Sequence, residues 1–133
     1  GLIPALAGTD DLILVDELAH ACLNSGARLS NAKVIRFKHN DCDDLEHHLK
    51  SQRNLFSKCL ILTDTVFSMD GDSPDIKKLI SSCLKYKARL IIDEAHAVGI
   101  MGKSFSGLVE AEKCFAKIIT FLKLLFHKLE LNM

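Results

Sequence analysis

The run Arg89-Leu90-Ile91-Ile92-Asp93-Glu94-Ala95-His96 delivers a carboxylate and an imidazole, three positions apart, from an apolar stretch into a turn that continues Ala97-Val98-Gly99. A carboxylate closing a buried strand is costly unless something there needs it. Two kinds of site need that pair. One holds a pyridine cofactor by its ring nitrogen, where the carboxylate keeps the nitrogen protonated. The other holds a magnesium ion in a nucleotide hydrolase. Asp93-Glu94-Ala95-His96 spells the magnesium box of such hydrolases, and Ala97-Val98-Gly99-Ile100-Met101-Gly102-Lys103-Ser104 satisfies a relaxed phosphate-loop pattern with alanine in first place. Their order speaks against that reading. A phosphate loop sits between its own strand and helix, with the acidic box on another, later strand, whereas here the box runs straight into the loop. The nucleotide hydrolase stands as the lesser alternative.

The elements that must position this pair follow from periodicity. Short apolar runs at 12–15, 34–37, 59–66 and 90–92 predict strands, and 117–121 a fifth. Between them lie predicted helices over 17–29, with Leu18, Cys22 and Leu29 at helical spacing, and around 43–50. Ser73-Pro74-Asp75 opens a third, with Ser73 as N-cap, Pro74 at the first helical position, Ile76, Leu79, Ile80, Cys83 and Leu84 on one face, and an end near Lys87. Alternating strands and helices predict an α/β fold with a mostly parallel sheet, because parallel neighbours need long crossovers. Ligands of such sheets sit beyond the carboxyl ends of the strands. Asp16 and His20, then His39-Asn40-Asp41, then Ser68-Met69-Asp70-Gly71-Asp72, then Asp93 and His96 are therefore the candidates. For Asp70 and Asp72 turn-capping is the better reading, and His39-Asn40-Asp41 is equally a turn and helix start. His47 and His48 lie on a polar helix and read as solvated.

Composition sets the outer bounds. At 133 residues and 48% hydrophobic content the chain suits one modest core. Seventeen basic and seventeen acidic residues cancel, which leaves no electrostatic footprint for nucleic acid. No apolar run reaches the roughly 18 residues of a membrane helix, and no signal peptide is visible. The five cysteines, irregularly spaced, read as buried thiols and not as a disulfide framework or zinc site. Together these predict a soluble, cytoplasmic protein. Leu2 to Gly8 reads as the last turns of a helix closed by glycine, which predicts a start inside a longer fold.

The motifs, taken together, resemble the α-oxoamine synthases, pyridoxal-phosphate enzymes of the aspartate-aminotransferase fold (fold type I). The resemblance rests on Phe67-Ser68-Met69-Asp70-Gly71-Asp72 followed by Asp93-Glu94-Ala95-His96-Ala97-Val98-Gly99. Upstream, Asp16-Glu17-Leu18-Ala19-His20-Ala21, Gly26-Ala27-Arg28-Leu29-Ser30 and Phe37-Lys38-His39-Asn40-Asp41 add to it, and the order is unbroken over 1–121. It implies part of a cofactor-binding large domain over 1–121, with 122–133 a divergent tail of the kind a frameshift or truncation leaves. It implies pyridoxal 5'-phosphate as cofactor, an amino acid and an acyl thioester as substrates, decarboxylative condensation as the reaction, and a homodimer for full-length members. Within the family, the combination of Asp93-Glu94-Ala95-His96-Ala97-Val98-Gly99 with Phe115-Ala116-Lys117-Ile118-Ile119-Thr120-Phe121 resembles the branch that joins L-alanine to a pimeloyl thioester for biotin synthesis; glycine C-acetyltransferase and 5-aminolevulinate synthase share most of the rest.

Residue by residue, the resemblance makes Asp93 the partner of the pyridine nitrogen and His96 the imidazole on the phenolic oxygen. It makes His20 the ring stacked on the pyridine face, Ser68 a hydroxyl at the ring edge and Thr120 a phosphate ligand. Lys123 falls in the place of the Schiff-base lysine, although Leu122, Leu124, Leu125 and Phe126 stand where the family has small residues. Polar residues at 113, 117, 120, 123, 127 and 130 equally describe one amphipathic helix with Lys123 on its solvated stripe. Two expectations stay open: a residual cofactor-binding enzyme, or a non-catalytic remnant whose incomplete parallel sheet exposes its edges.

Overall fold

The computed structural model describes residues 2–64, 73–93 and 118–120. It opens with a short helix α1 (Leu2–Leu6), then alternates strands and helices: β1 (Leu12–Asp16), α2 (Ala21–Leu29), β2 (Lys33–Phe37), α3 (Cys42–Gln52) with a single 3-10 turn (Arg53–Leu55), β3 (Cys59–Asp64), α4 (Ile76–Tyr86), β4 (Arg89–Asp93) and β5 (Ile118–Thr120). The five strands form one parallel sheet in the order β2-β1-β3-β4-β5. Every residue of β1 and β3 is buried, as is β4 after Arg89. That is why they read as continuous apolar runs and not as alternating ones: a central parallel strand is covered on both faces. β2 is the edge, and its Lys33 and Arg36 are exposed, a pattern that discourages pairing with another chain.

The winding explains the two cores. From β1 the chain steps one way to β2, then back past β1 to β3 and onward to β4. Right-handed crossovers put the connecting helix on opposite faces when the direction reverses. One face gathers Ile13, Val15, Leu60, Leu62 and Ile91 beneath Ile3, Leu23 and Ala27 of α1 and α2. The other gathers Leu12, Leu14, Ile61, Leu90 and Ile92 beneath Leu45 and Leu49 of α3 and Ile76, Leu79 and Cys83 of α4. The reversal lies between β1 and β3, and the crevice outside the carboxyl ends of strands at such a reversal is where this architecture binds ligands.

Helix starts differ from expectation in two places. α2 begins at Ala21, not Glu17, because Asp16 captures the next turn: its Oδ1 accepts the Leu18 N–H at 2.9 Å and its carbonyl accepts the Ala19 N–H at 3.0 Å. With the start moved, the buried face becomes Leu23 and Ala27, while Leu18 and Leu29 are 48% and 72% exposed. α4 begins at Ile76 with Asp75 as N-cap, its carboxylate accepting the Lys78 N–H at 3.1 Å, so Ser73 and Pro74 precede the helix. An ionised side chain at the cap also meets the positive end of the helix dipole. The predicted end of α4 holds: Lys87 takes the left-handed conformation (φ 52°), and the Ala88 N–H returns to the Cys83 carbonyl at 2.9 Å. Cys22, Cys42, Cys59 and Cys83 are free thiols. Among the described residues no helix is long and apolar enough to cross a membrane.

Candidate active site

Three of the strands end on an aspartate, and all three are buried: Asp16 (0% exposed) on β1, Asp64 (3%) on β3 and Asp93 (4%) on β4. Buried carboxylates must be met by donors, and the donors show what each does. Asp16 is spent on structure. Its two oxygens accept the Leu18 and Asn40 N–H groups at 2.9 and 3.0 Å, and Oδ1 lies 2.9 Å from Nδ1 of His39. His39 donates its own N–H to Glu17 at 3.0 Å, and Asp41 caps α3 by accepting the Asp44 N–H at 2.9 Å. Of the two readings open for His39-Asn40-Asp41, the geometry is that of a turn and helix start.

Asp64 and Asp93 are different. They are direct neighbours in the parallel register of β3 and β4, beside the winding reversal. Both are met from the start of α2. Asp64 Oδ2 accepts the His20 N–H at 2.9 Å, and Asp93 Oδ2 accepts the Cys22 thiol at 3.5 Å, joining residues 44 and 71 apart in sequence.

His20 is not inside a helix, as the sequence pattern predicted, but is the N-cap of α2. Its extended backbone (φ −52°, ψ 147°) leaves Nδ1 accepting the Cys22 N–H at 3.2 Å. With Nδ1 as acceptor, the neutral ring carries its proton on Nε2. The side chain is exposed at the rim of the sheet end. One donor or acceptor atom from each of His20, Cys22 and Asp93 lies within 4.8 Å of the other two. This trio mixes nitrogen, sulfur and oxygen, a set that could hold a borderline divalent cation. Equally, an acceptor-only carboxylate at the floor and an aromatic ring at the rim suit a flat, protonated heteroaromatic ring.

The Cys22 thiol is pushed up from 9.0 to about 11, first by burial and then by the Asp93 charge and hydrogen bond, with Asp64 adding to it. It is therefore a thiol donor, not a thiolate, at neutral pH.

Asp93 and His20 are thus brought together, as the sequence led us to expect. Thr120 ends β5, which pairs in parallel with β4 through Ile92 and Thr120. Ser68, His96 and Lys123 lie outside the described residues. Asp64 and Cys22 were missed. The signal for Asp64 was present, since Leu-Ile-Leu-Val-Asp, Cys-Leu-Ile-Leu-Thr-Asp and Arg-Leu-Ile-Ile-Asp all end alike. Nothing in the sequence pairs Cys22 with Asp93. A hollow of about 450 Å³ lined by Thr9, Asp10 and residues 54–57 is open to solvent, but it lies at the opposite, amino ends of β1 and β3, away from all of these groups.

Residues 1–122 match the family model for aminotransferases of class I and II, so the match stops one residue before Lys123. A protein of Aquifex aeolicus that bears the name 8-amino-7-oxononanoate synthase provisionally is 52% identical over 103 residues, 77% of this chain and 28% of that protein. The 8-amino-7-oxononanoate synthase of Granulibacter bethesdensis is 48% identical over 103 residues, again 77% of this chain and 27% of its own length. Among solved structures, serine palmitoyltransferase from S. paucimobilis with a bound PLP–myriocin aldimine superposes with a TM-score of 0.82 at 31% identity, covering 89% of this chain and 30% of that one. The chain thus spans about 30% of the length of the relatives it matches. By this match over nearly its whole length, the chain belongs to the class I and II aminotransferase family.

Proposed function

We propose that the chain is the part of a pyridoxal-phosphate-dependent acyltransferase of the 8-amino-7-oxononanoate synthase type that grips the cofactor ring. In this reading the amino-acid substrate is L-alanine and the acyl donor a pimeloyl thioester, condensed with loss of carbon dioxide in biotin synthesis. The observation that carries it is the buried Asp93 carboxylate at the end of β4, with the exposed His20 ring of the α2 cap beside it. When bound, pyridoxal phosphate supplies a ring that draws electrons from the substrate's α-carbon.

The donor set fits that group. Asp93 would accept from a protonated ring nitrogen, and its negative charge close by would favour the proton staying there. His20 offers a flat face, held at a fixed height by its cap hydrogen bond. From the family resemblance, His96 holds the phenolic oxygen, Ser68 lines the ring edge, Thr120 takes the phosphate and Lys123 supplies the amine. The relatives' names favour the alanine-using branch over the glycine-using ones.

The test uses the purified chain. Pyridoxal phosphate is added, the visible absorbance is followed, and borohydride then fixes the adduct for peptide mapping. The expected result is a saturable new band and label on Lys123, with L-alanine perturbing the band at lower concentration than glycine. An unchanged cofactor spectrum, or label spread over surface lysines, would sink the reading.

A further inference from the structure

We infer that Asp64 is a positioning residue, the group that sets the height and tilt of His20 against the cofactor ring; this rests on the reading of Asp93 and His20 given above. The observations come from three directions. First, the Asp64 carboxylate is buried at a strand end, and its Oδ2 accepts from a backbone N–H that belongs to neither β3 nor its neighbouring strands, that of His20, at 2.9 Å. Second, that N–H is the one immediately before α2, outside the helical ladder, so nothing within the helix satisfies it. Third, the ring itself is tied to the start of α2 by the Cys22 N–H, which donates to Nδ1.

His20 is therefore held by two hydrogen bonds, one at its ring and one at its backbone N–H. One is made by its own helix and one by the strand next to Asp93. The register that sets Asp64 beside Asp93 makes the distance from ring to floor a property of two adjacent strands, which the packed sheet holds rigid. The ties of the 17–19 loop run instead to Asp16 and to Phe37 and His39, on the β1–β2 side of the sheet and away from Asp93.

The role asks for an acceptor, not for a charge. Asn at position 64 can keep the bond through its side-chain carbonyl, whereas Ala cannot. The experiment follows amide hydrogen exchange at His20 by NMR, and pyridoxal phosphate binding by titration and by the visible circular dichroism of the bound cofactor. Thermal melts verify that each variant is folded. For Asp64→Ala we expect His20 exchange faster by about tenfold or more, cofactor affinity lower by about tenfold, and the dichroic band lost. For Asp64→Asn both constants stay within about threefold of the parent. Asp64→Ala combined with His20→Ala should bind no worse than His20→Ala alone, since Asp64 acts through that ring.

A folded Asp64→Ala chain with parental exchange and affinity overturns the inference, as does a double variant in which the two losses add. Should Asp64→Ala not fold, Asp64→Ser, whose hydroxyl falls short of the His20 N–H, is judged by the same criteria. A parent chain that takes up no cofactor refutes the function proposed above but not this tie. The exchange rate then decides, and His20 exchange unchanged in Asp64→Ala overturns it.

Discussion

The Cys22 thiol donates to the Asp93 carboxylate across 3.5 Å, tying the first turn of α2 to the end of β4. Because burial and the Asp93 charge both disfavour the thiolate, Cys22 is pushed up to about 11. Asp93→Asn removes the charge but not the burial, which is the larger cause. The thiol's titration, followed by its pH-dependent reaction with a disulfide reagent, should move below 11 yet stay above the ordinary 9.0. A midpoint unchanged in Asp93→Asn would mean the contact is not made in solution.

Among the described residues, the two buried thiols make a second, pH-dependent prediction. Cys59 and Cys83 are each pushed up from 9.0 to about 12 by burial. The unfolded chain therefore loses these protons first as pH rises, and folding stability is intact below pH 9 and falls from there toward 12. At roughly pH 10.5 the loss is about 2 kcal/mol per thiol, from 1.4 kcal/mol per unit of pH above the unfolded value. Urea unfolding of the parent at neutral and alkaline pH should show the decline, and a Cys59→Val/Cys83→Ala variant should show a flatter one.

Asp16 tests the structural reading of the strand ends. Asp16→Ala leaves the Leu18 and Asn40 N–H groups and the His39 ring without their acceptor, and should cost about 2–4 kcal/mol in denaturant unfolding. His39→Ala removes one of those three bonds and should cost about 1 kcal/mol. Equal losses would contradict the arrangement.

Gly26 is required by the seat of α1. A Cβ there would lie 2.8 Å from Cδ1 and 3.2 Å from Cβ of Ile3, which is buried. Gly26→Ala should destabilise by about 1–3 kcal/mol through overpacking, in spite of alanine's better helix propensity. Ile3→Val, which removes the closest atom, should recover part of that loss in the double variant, as a double-mutant cycle would report.

His20 separates stacking from capping. His20→Phe keeps an aromatic face but loses the bond to the Cys22 N–H; His20→Asn keeps a capping acceptor but loses the ring. If the ring stacks on the cofactor, His20→Asn should lower pyridoxal phosphate affinity by about tenfold while His20→Phe lowers it less. Thermal stability should rank the other way, because the cap is worth about 1 kcal/mol.

The sequence by itself determined what depends on near neighbours. Runs such as Leu12 to Val15 and Leu90 to Ile92 read as covered strands, because an unbroken apolar run has no solvent face and these are too short for helices. Strict alternation with helices made the sheet parallel, and the carboxylates closing those runs pointed to the carboxyl ends of the strands as the place to look for a site. The face of α4 was legible for the same reason, since Ile76, Leu79 and Cys83 repeat at helical spacing and are buried.

Tertiary structure decided the rest, because hydrogen-bond acceptors are chosen in space. Whether Glu17 or Ala21 starts α2 depended on Asp16 capturing the Leu18 N–H, and whether His20 is a helix or cap residue followed from that. The strand order, with its reversal between β1 and β3, set Asp64 beside Asp93 and brought the start of α2 to both. Periodicity carries no term for such contacts, so Asp16, Asp64 and Asp93, alike at the ends of three apolar runs, became a turn anchor, the acceptor of the His20 N–H and the acceptor of the Cys22 thiol.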